Sequence, residues 1–277
     1  MNWNLIFSAA LLTVSTALPC TSLAQTWQTP CVTEPYDYSY TDETRQVVID
    51  RYQANGITYF VADVQISDPK QLRAVSAREN GGDSCQALSD IVTGQNAVLA
   101  INGDDYATHR YGTIIRNGQP LRAAQTTRNM LIVDENGNFS LRIDRKNEKP
   151  KQLSADLMNN GTWQTFEFGP ALIEDGQKLT FSRAFDLIST KSSRREPRTA
   201  IGQIDTLHYA VIVADGRQEG YSVGMTLPEL QDVFVSIGAK TALNLDGGGS
   251  TEMWFNGQII NRPSGGTERK ISDIICF

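Results

Sequence analysis

Histidine is the scarcest potential catalytic residue in this sequence, with only His109 and His208 among 277 residues. The two histidines do not form a metal-ligand motif of the kind that zinc enzymes use. The Gly-x-Ser-x-Gly motif of serine hydrolases is also absent. His208 begins an apolar strand and is best explained as structural, whereas His109 follows a polar junction and could reach a pocket. The sequence therefore predicts no metal and no cofactor.

Long apolar runs are lacking after the first 24 residues. Residues 1–24 contain no charged side chain, and their apolar run, Leu5 to Leu18, is too short to span a bilayer comfortably. A small-x-small cleavage site ends at Ala24. We interpret 1–24 as a secretory signal peptide and predict a secreted or periplasmic protein with no membrane span after cleavage. The alternatives are a lipoprotein anchored at Cys20 and an uncleaved anchor.

An excess of positive charge is lacking too, since 25 Lys and Arg face 31 Asp and Glu for a net charge of −6. This balance argues against nucleic acid or an acidic membrane surface as the main partner. Beyond residue 24 the cysteines number three, namely Cys31, Cys85 and Cys276. One intrachain disulfide is possible, and the sequence does not choose the pair. The oligomeric state also stays open.

Hairpin signals dominate the rest of the chain. Turn pairs separate short apolar runs at Asn55-Gly56, Asn117-Gly118, Asn136-Gly137, Asp175-Gly176 and Asn256-Gly257. One helix has a clear start, with Thr226 as cap and Glu229 as its reciprocal partner. We predict an α+β fold: a single domain with a mixed, hairpin-rich β-sheet and a few flanking helices. The sheet is expected to be mixed because the strand-helix-strand passage 209–245 allows parallel pairing.

The predicted domain boundaries follow from the composition. Residues 1–24 are the signal peptide, and the polar, tyrosine-rich stretch 25–45 is an N-terminal extension on the surface. Residues 46–277 form one domain, because no break in composition and no repeat divides them.

Three predicted strands end where polar side chains meet glycine. These junctions are Asn102-Gly103-Asp104, Asp215-Gly216-Arg217 and the segment 244–250, which reads NLDGGGS. Glycines let a ligand approach bare main-chain N–H groups, and a carboxylate at a strand end is held by the sheet. If the three junctions meet at one end of the sheet, they form a pocket for an anion or a sugar. Taken singly, each is also explained as an ordinary turn.

These motifs resemble those of the phosphodiester glycosidase family. The resemblance rests on NLDGGGS at 244–250, RTAIG at 198–202, DGR at 215–217, AING at 100–103 and the closing segment 256–269. In order and spacing it covers roughly residues 55–277. It implies a secreted or lumenal enzyme that hydrolyses a sugar-1-phosphodiester at the anomeric carbon. One departure is Asp104, where that family often has glycine.

Such a reaction needs a carboxylate near the anomeric carbon and cationic or N–H groups around the phosphate. Because a phosphomonoester is a good leaving group, strong acid assistance is less necessary than in ordinary glycosidases. We assign Asp246 as base or nucleophile, with Asp215 as second choice, and Arg198 as a catalytic phosphate ligand. Asn102 is expected to bind a sugar hydroxyl. The other predicted substrate-binding residues are Gly103, Asp104, Thr199, Asn244, Gly247, Gly248, Gly249, Ser250 and Arg269. As a structural alternative, Arg198 pairs with Asp215 or Asp246 in the sheet.

Two other functions compete with the glycosidase. A non-catalytic carbohydrate-binding module of an exopolysaccharide pathway would need the pocket but not the carboxylate chemistry. A metal-dependent phosphodiesterase would cut the P–O bond, although the lack of a His/Asp cluster weighs against it. A phosphorylated carbohydrate is the expected partner under the glycosidase hypothesis, on an envelope or extracellular glycan.

We predict that the mature protein begins at or near Gln25, because the small-x-small site ends at Ala24. N-terminal sequencing of exported protein checks this. Material that keeps Trp3, or that carries lipid on Cys20, would contradict it.

Overall fold

Apolar runs joined by tight turns fold into antiparallel strands over most of the chain. Both residues of the turn pair have positive φ, as a type I′ hairpin requires, at Asn55-Gly56, Asn117-Gly118, Asp175-Gly176 and Asn256-Gly257. The fifth turn differs, since Gly137 has positive φ and Asn136 does not. There the Asp134 carboxylate accepts hydrogen bonds from the main-chain N–H groups of Asn136 and Asn138, at 2.9 and 2.8 Å. Residues 134–138 therefore form a hairpin turn, as predicted for Asn136-Gly137.

The computed structural model describes residues 38–78, 85–181 and 192–277. Its strands, numbered along the chain, are β1 (Tyr38–Thr41), β2 (Arg45–Ala54), β3 (Ile57–Ile66), β4 (Arg73–Ser76), β5 (Leu99–Asn102), β6 (Gly112–Arg116), β7 (Gln119–Ala124), β8 (Met130–Asp134), β9 (Phe139–Arg142), β10 (Thr162–Phe166), β11 (Ala171–Glu174), β12 (Gln177–Lys178), β13 (Arg198–Asp205), β14 (His208–Ala214), β15 (Thr241–Asn244), β16 (Met253–Phe255), β17 (Gln258–Ile259) and β18 (Asp273–Cys276). The α-helices are α1 (Leu88–Val92), α2 (Pro150–Asn159) and α3 (Leu227–Ser236).

The largest sheet has eight strands in the order β1-β2-β3-β14-β13-β15-β11-β12. All strand pairs among the described residues are antiparallel, so the prediction of a mixed sheet is wrong. Strands β14 and β15 do run in the same direction, but β13 lies between them and pairs with both. A hairpin turn after β13 leads into β14, which pairs with one edge of β13. Helix α3 then carries the chain across to the other edge.

Both faces of the eight-stranded sheet are buried. On β3, Phe60 and Ala62 point to a core shared with the five-stranded sheet β17-β16-β5-β18-β4, while Tyr59 and Val61 point to a second core. Helix α3 covers that second face with its apolar side. Gly202 permits the close approach, because a Cβ atom there would lie 2.8 Å from the Phe234 ring.

The two smaller helices cover smaller sheets. Helix α1 packs on the outer face of the five-stranded sheet, and α2 packs near the β6-β7 hairpin and the three-stranded sheet β10-β8-β9. Together these layers form one domain, with helices that are few and peripheral. No helix in the described ranges has the length and apolar character needed to cross a membrane.

The N-terminal predictions lie mostly outside the described residues. The predicted signal peptide, Cys20 and Cys31 all precede residue 38. Strand β1, at the end of the predicted extension, pairs with β2 at the sheet edge. Cys85 and Cys276 are free thiols, and Cys276 is buried.

We expect Thr226→Ala to lower the free energy of unfolding by about 1 kcal/mol. The Thr226 hydroxyl accepts the Glu229 N–H, and the Glu229 carboxylate accepts the Thr226 N–H at 2.9 Å, so alanine leaves one helix donor without its cap. Urea unfolding measures the change. Thr226→Ser is the matched control and should stay close to wild type; equal losses in both variants would contradict the capping role.

Candidate active site

The glycine loop, residues 247–250, follows β15 and packs closely on the chain that enters β13. A Cβ atom on Gly247 would lie 2.7 Å from the Pro197 carbonyl oxygen, so a larger residue does not fit. The Gly248 N–H donates to that same carbonyl at 3.0 Å. Gly248 also has a φ of +62°, which favours glycine. The glycines therefore serve close packing and backbone geometry.

Two guanidinium groups lie against this loop. A Cβ atom on Gly248 would be 3.0 Å from Nη2 of Arg217, and one on Gly249 would be 3.5 Å from Nη1 of Arg269. The Arg217 side chain is half-exposed, and its Nε donates to Glu196 at 2.6 Å. The loop thus has two cations against it, and its three glycines are partly exposed while Ser250 is buried.

Asp246 immediately precedes the loop, and the charge of Arg269 acts on its carboxyl group. Its Oδ1 accepts the Gly247 N–H at 3.0 Å, and the Ser250 hydroxyl bonds to the same carboxyl. Burial raises the pKa of Asp246 to about 6, and the negative charge of Asp105 adds to the rise. The two hydrogen bonds and the charge of Arg269 oppose it. Asp246 therefore titrates close to neutral pH.

Asp105 is the second carboxyl of the site. Its Oδ2 accepts from Arg128 Nη2 at 3.1 Å, and its Oδ1 lies 2.9 Å from His109 Nε2. Burial alone would raise the pKa of Asp105, but the bonds and charges of Arg128 and His109 hold it below its ordinary value. The Arg128 guanidinium is itself fixed between the rings of Tyr111 and Phe168. The site thus contains one permanently ionised carboxylate and one that titrates near neutrality, the pattern expected of an acid–base pair.

Hydrogen bonds connect the three polar junctions to one another. The Asn102 amide donates to the Asp246 carbonyl at 2.7 Å, which joins the first junction to the third. The Asn261 amide donates to Asp215 at 2.9 Å and to the Thr251 carbonyl at 3.1 Å, which joins the second to the third.

Arg198 does not have the contacts expected of a phosphate ligand. Its side chain is 2% exposed, and it donates to the carbonyl oxygens of Met225 at 3.0 Å and Arg194 at 2.9 Å. Burial lowers the pKa of Arg198 to about 10. The structural alternative is not observed either, because the ion pairs of the described residues include none from Arg198 to Asp215 or Asp246. Arg217 and Arg269 are better placed for an anion.

Asp215 also has the contacts of a structural residue. It is 1% exposed, and its carboxylate accepts from the Tyr221 hydroxyl at 2.9 Å, the Asn261 amide at 2.9 Å and the Arg262 N–H at 3.1 Å. Burial raises its pKa. These bonds use both oxygens and hold the loop after β14 against the chain after β17. The contacts do not support the second-choice catalytic role.

Asn102 and Thr199 support the site through buried hydrogen bonds. The Asn102 oxygen accepts from the Thr199 hydroxyl at 2.7 Å and from the Glu252 N–H at 3.2 Å. Its nitrogen holds the Asp246 carbonyl, so the amide has protein partners on both sides. Because protein groups already bond to both ends of the amide, the structure does not support the predicted contact between Asn102 and a sugar hydroxyl.

The remaining predicted residues are buried beneath the site. Asp104 is 4% exposed and pairs with Arg116 at 2.9 Å. Gly103 lies against Asp273, where a Cβ atom would be 2.5 Å from the carboxylate. The Asn244 amide donates to the Gly169 carbonyl at 2.8 Å. None of the three is placed to touch a substrate at the surface of the loop.

Sequence reasoning missed Asp105, Arg128 and Glu252. Asp105 and His109 are four residues apart, a spacing that brings side chains together on one helical turn and could have indicated the pair. Arg128 lies in a loop without a motif, so no local signal marks it. Among the described residues, no group of three or more His, Cys, Asp and Glu is arranged to hold a metal ion.

The family model of phosphodiester glycosidases matches residues 95–277, about two thirds of the chain. The chain belongs to this family. The matched range contains the glycine loop, both site carboxyls and the guanidinium groups of Arg128, Arg217 and Arg269.

Solved structures share the fold. The catalytic domain of zebrafish N-acetylglucosamine-1-phosphodiester alpha-N-acetylglucosaminidase, auto-inhibited by its pro-peptide, superposes with a TM-score of 0.66 at 17% identity, covering 84% of this chain and 82% of that one. A hypothetical protein from Synechocystis gives 0.56 at 17% identity, over 84% and 62% of the two chains. A relative by sequence is the SPbeta prophage-derived uncharacterized protein YomE of Bacillus subtilis, 34% identical over 130 residues. That match spans 46% of this chain and 19% of the relative.

We expect Asp246→Asn to stabilise the protein at neutral pH. The folded pKa of about 6 exceeds the ordinary 3.8, so the stability linked to the protonated carboxyl is complete below pH 4 and is lost as the pH rises to 6. Asparagine does not titrate, so the free energy of unfolding of the variant should exceed that of wild type by about 2 kcal/mol at pH 8. Thermal melts from pH 4 to 8 measure the effect, with exposed Asp144→Asn as control. A variant that is equally destabilised at every pH would contradict the burial argument.

Proposed function

We propose that this protein hydrolyses a sugar-1-phosphodiester at the anomeric carbon, releasing the free sugar and a phosphomonoester. The observation that carries the proposal is Asp246, a carboxyl that titrates near neutral pH beside a glycine loop flanked by Arg217 and Arg269. A carboxylate next to an anion site is the minimum that this reaction requires. Membership of the phosphodiester glycosidase family supports the same reaction class.

The chemistry is a substitution at carbon. The bond between the anomeric carbon and the phosphate oxygen breaks, and its electron pair leaves with the phosphomonoester. A new bond forms from the anomeric carbon to the oxygen of water, either directly or after a covalent intermediate on Asp246. In the direct route Asp246 takes the proton from water, for which a pKa near 6 is well suited at neutral pH.

The leaving phosphate gains charge as the bond breaks. One guanidinium group can donate two parallel hydrogen bonds to a phosphate. Arg217 and Arg269 can therefore stabilise the negative charge on the phosphate as it develops. The N–H groups of the glycine loop contribute less to phosphate binding than the number of glycines suggests. The N–H groups of Gly247, Gly248 and Ser250 already bond to the Asp246 carboxylate, the Pro197 carbonyl and the Gly247 carbonyl.

Asp105 supplies a fixed negative charge to the same site. Arg128 and His109 keep it ionised, and its charge acts on Asp246. A permanent carboxylate stabilises the positive charge that develops at the anomeric carbon in an oxocarbenium-like transition state. It also helps to keep Asp246 basic enough to accept a proton.

The proposed setting is an envelope or extracellular glycan. The uncharged, apolar segment 1–24 supports export of the protein. The name of the similar zebrafish enzyme refers to a sugar-1-phosphodiester, which supports a substrate of that chemical class.

Hydrolysis in oxygen-18 water tests the bond that breaks. A panel of sugar-1-phosphodiesters is incubated with the enzyme, and products are examined by mass spectrometry. Label in the sugar supports the proposal. Label in the phosphate would establish P–O cleavage instead, and sugar binding without turnover would indicate a carbohydrate-binding module.

Asp246→Asn should lower kcat by a factor on the order of 10³ while substrate binding is kept, because the lost interaction forms mainly in the transition state. Steady-state kinetics on a turned-over phosphodiester measure both constants. Exposed Asp144→Asn should match wild type. Near-normal turnover by Asp246→Asn would show that another residue is the base or nucleophile.

A further inference from the structure

Glu252 is a carboxyl group enclosed by the protein next to the site. It follows the glycine loop by two residues and has no exposed surface. Its Oε1 accepts the main-chain N–H of Arg269 at 2.8 Å. Its Oε2 is buried and has no hydrogen-bond partner among the described residues. A buried ionised carboxylate with a bare oxygen would be strongly unfavourable.

The bond from Glu252 fixes the residue that carries one of the two site cations. The Arg269 side chain extends over Gly249, and its charge acts on Asp246. Glu252 is itself held on the other side, because its N–H donates to the Asn102 oxygen at 3.2 Å. Asn102 in turn holds the Asp246 carbonyl. A short chain of hydrogen bonds therefore joins the backbone of Arg269 to the backbone of Asp246.

The charges around Glu252 favour its neutral form. Burial raises the pKa of Glu252 to about 8, the Arg269 N–H opposes the rise, and the negative charge of Glu268 adds to it. Glu268 is held in place by Ser89, whose N–H and hydroxyl donate to its carboxylate at 2.9 and 2.7 Å. The Arg269 side chain is directed to Gly249, so it is the main-chain N–H of that residue that meets Glu252.

We propose that Glu252 positions Arg269 over the glycine loop and that it does so as the neutral carboxylic acid. Ionisation places an uncompensated charge in the enclosed site beside Glu268, which displaces the chain at 268–269 and moves the guanidinium from Gly249. The anion site would then weaken in mildly alkaline solution. This inference rests on the proposed function only in taking Arg269 as an anion ligand, and that can be tested without any turnover.

The test is sulfate binding to the full-length protein by calorimetry between pH 7.5 and 9.5, since the charge of sulfate is constant there. The range also lies above the pKa of Asp246, so that carboxylate stays ionised throughout. Wild-type affinity should fall by about tenfold or more across the range, the equivalent of one hydrogen bond to a charged group. Glu252→Gln keeps the acceptor oxygen without titrating, so its affinity should stay level. Exposed Glu135→Gln should behave as wild type.

Two further variants complete the experiment. Arg269→Ala should bind sulfate weakly at every pH and lose the alkaline fall, because the positioned group is missing. Glu268→Gln removes a charge that raises the pKa of Glu252 and that repels it once ionised, so the fall should begin at lower pH and be smaller. Identical profiles for wild type and Glu252→Gln, or an unchanged alkaline fall in Arg269→Ala, would overturn the proposal. A level Glu252→Gln profile combined with no hydrolysis of any phosphodiester would uphold the positioning role and reject the proposed function alone.

Discussion

The hydrogen bonds of the Asn102 side chain hold the site together. Its amide connects the end of β5 to the Asp246 carbonyl, the Thr199 hydroxyl on β13 and the Glu252 N–H, and the residue is 1% exposed. Removing it would leave three buried polar groups without partners, which typically costs about 1–3 kcal/mol for each. The two main sheets meet at this amide, so it links the ends of β5 and β13 to the backbone of Asp246.

A buried charge cluster supports the other half of the site. The Arg116 guanidinium, fully enclosed, lies 2.9 Å from both Asp104 and Asp273, and Arg145 pairs nearby with Glu167. Burial raises the pKa of Asp273 well above its ordinary range, and it also raises the pKa of Glu167. Three enclosed carboxyls thus surround two guanidiniums, and Arg145 also pairs with the partly exposed Glu148 at 2.6 Å. Asp104 is fixed in this way, and the next residue, Asp105, is presented to the site.

Much of the fold can be predicted from local signals, because turn chemistry and helix caps act over a few residues. The Asn-Gly pairs and the Thr226 cap are of this kind. The order of strands is not local, and nothing in 209–245 shows that β13 separates β14 from β15. The same limit applies to the site. Asp246 is predicted from the glycines that follow it, but the choice between Asp104 and Asp105, or between Arg198 and Arg217, depends on which side chain faces the core.

The carboxyls of this site have their pKa values set by what surrounds each of them. Asp105 faces a guanidinium and an imidazole and stays ionised, Asp246 has only weak compensation and titrates near pH 6, and Glu252 has almost none and titrates near pH 8. Ionised Asp246 and neutral Glu252 therefore coexist at pH 7, within six residues of each other. The difference comes from unequal compensation, because Gly247, Ser250 and the charge of Arg269 stabilise ionised Asp246, whereas the Arg269 N–H alone stabilises ionised Glu252. The close packing of Gly247 on Pro197 holds the Gly247 N–H against the Asp246 carboxyl, so the glycine loop helps to keep the two acids chemically distinct.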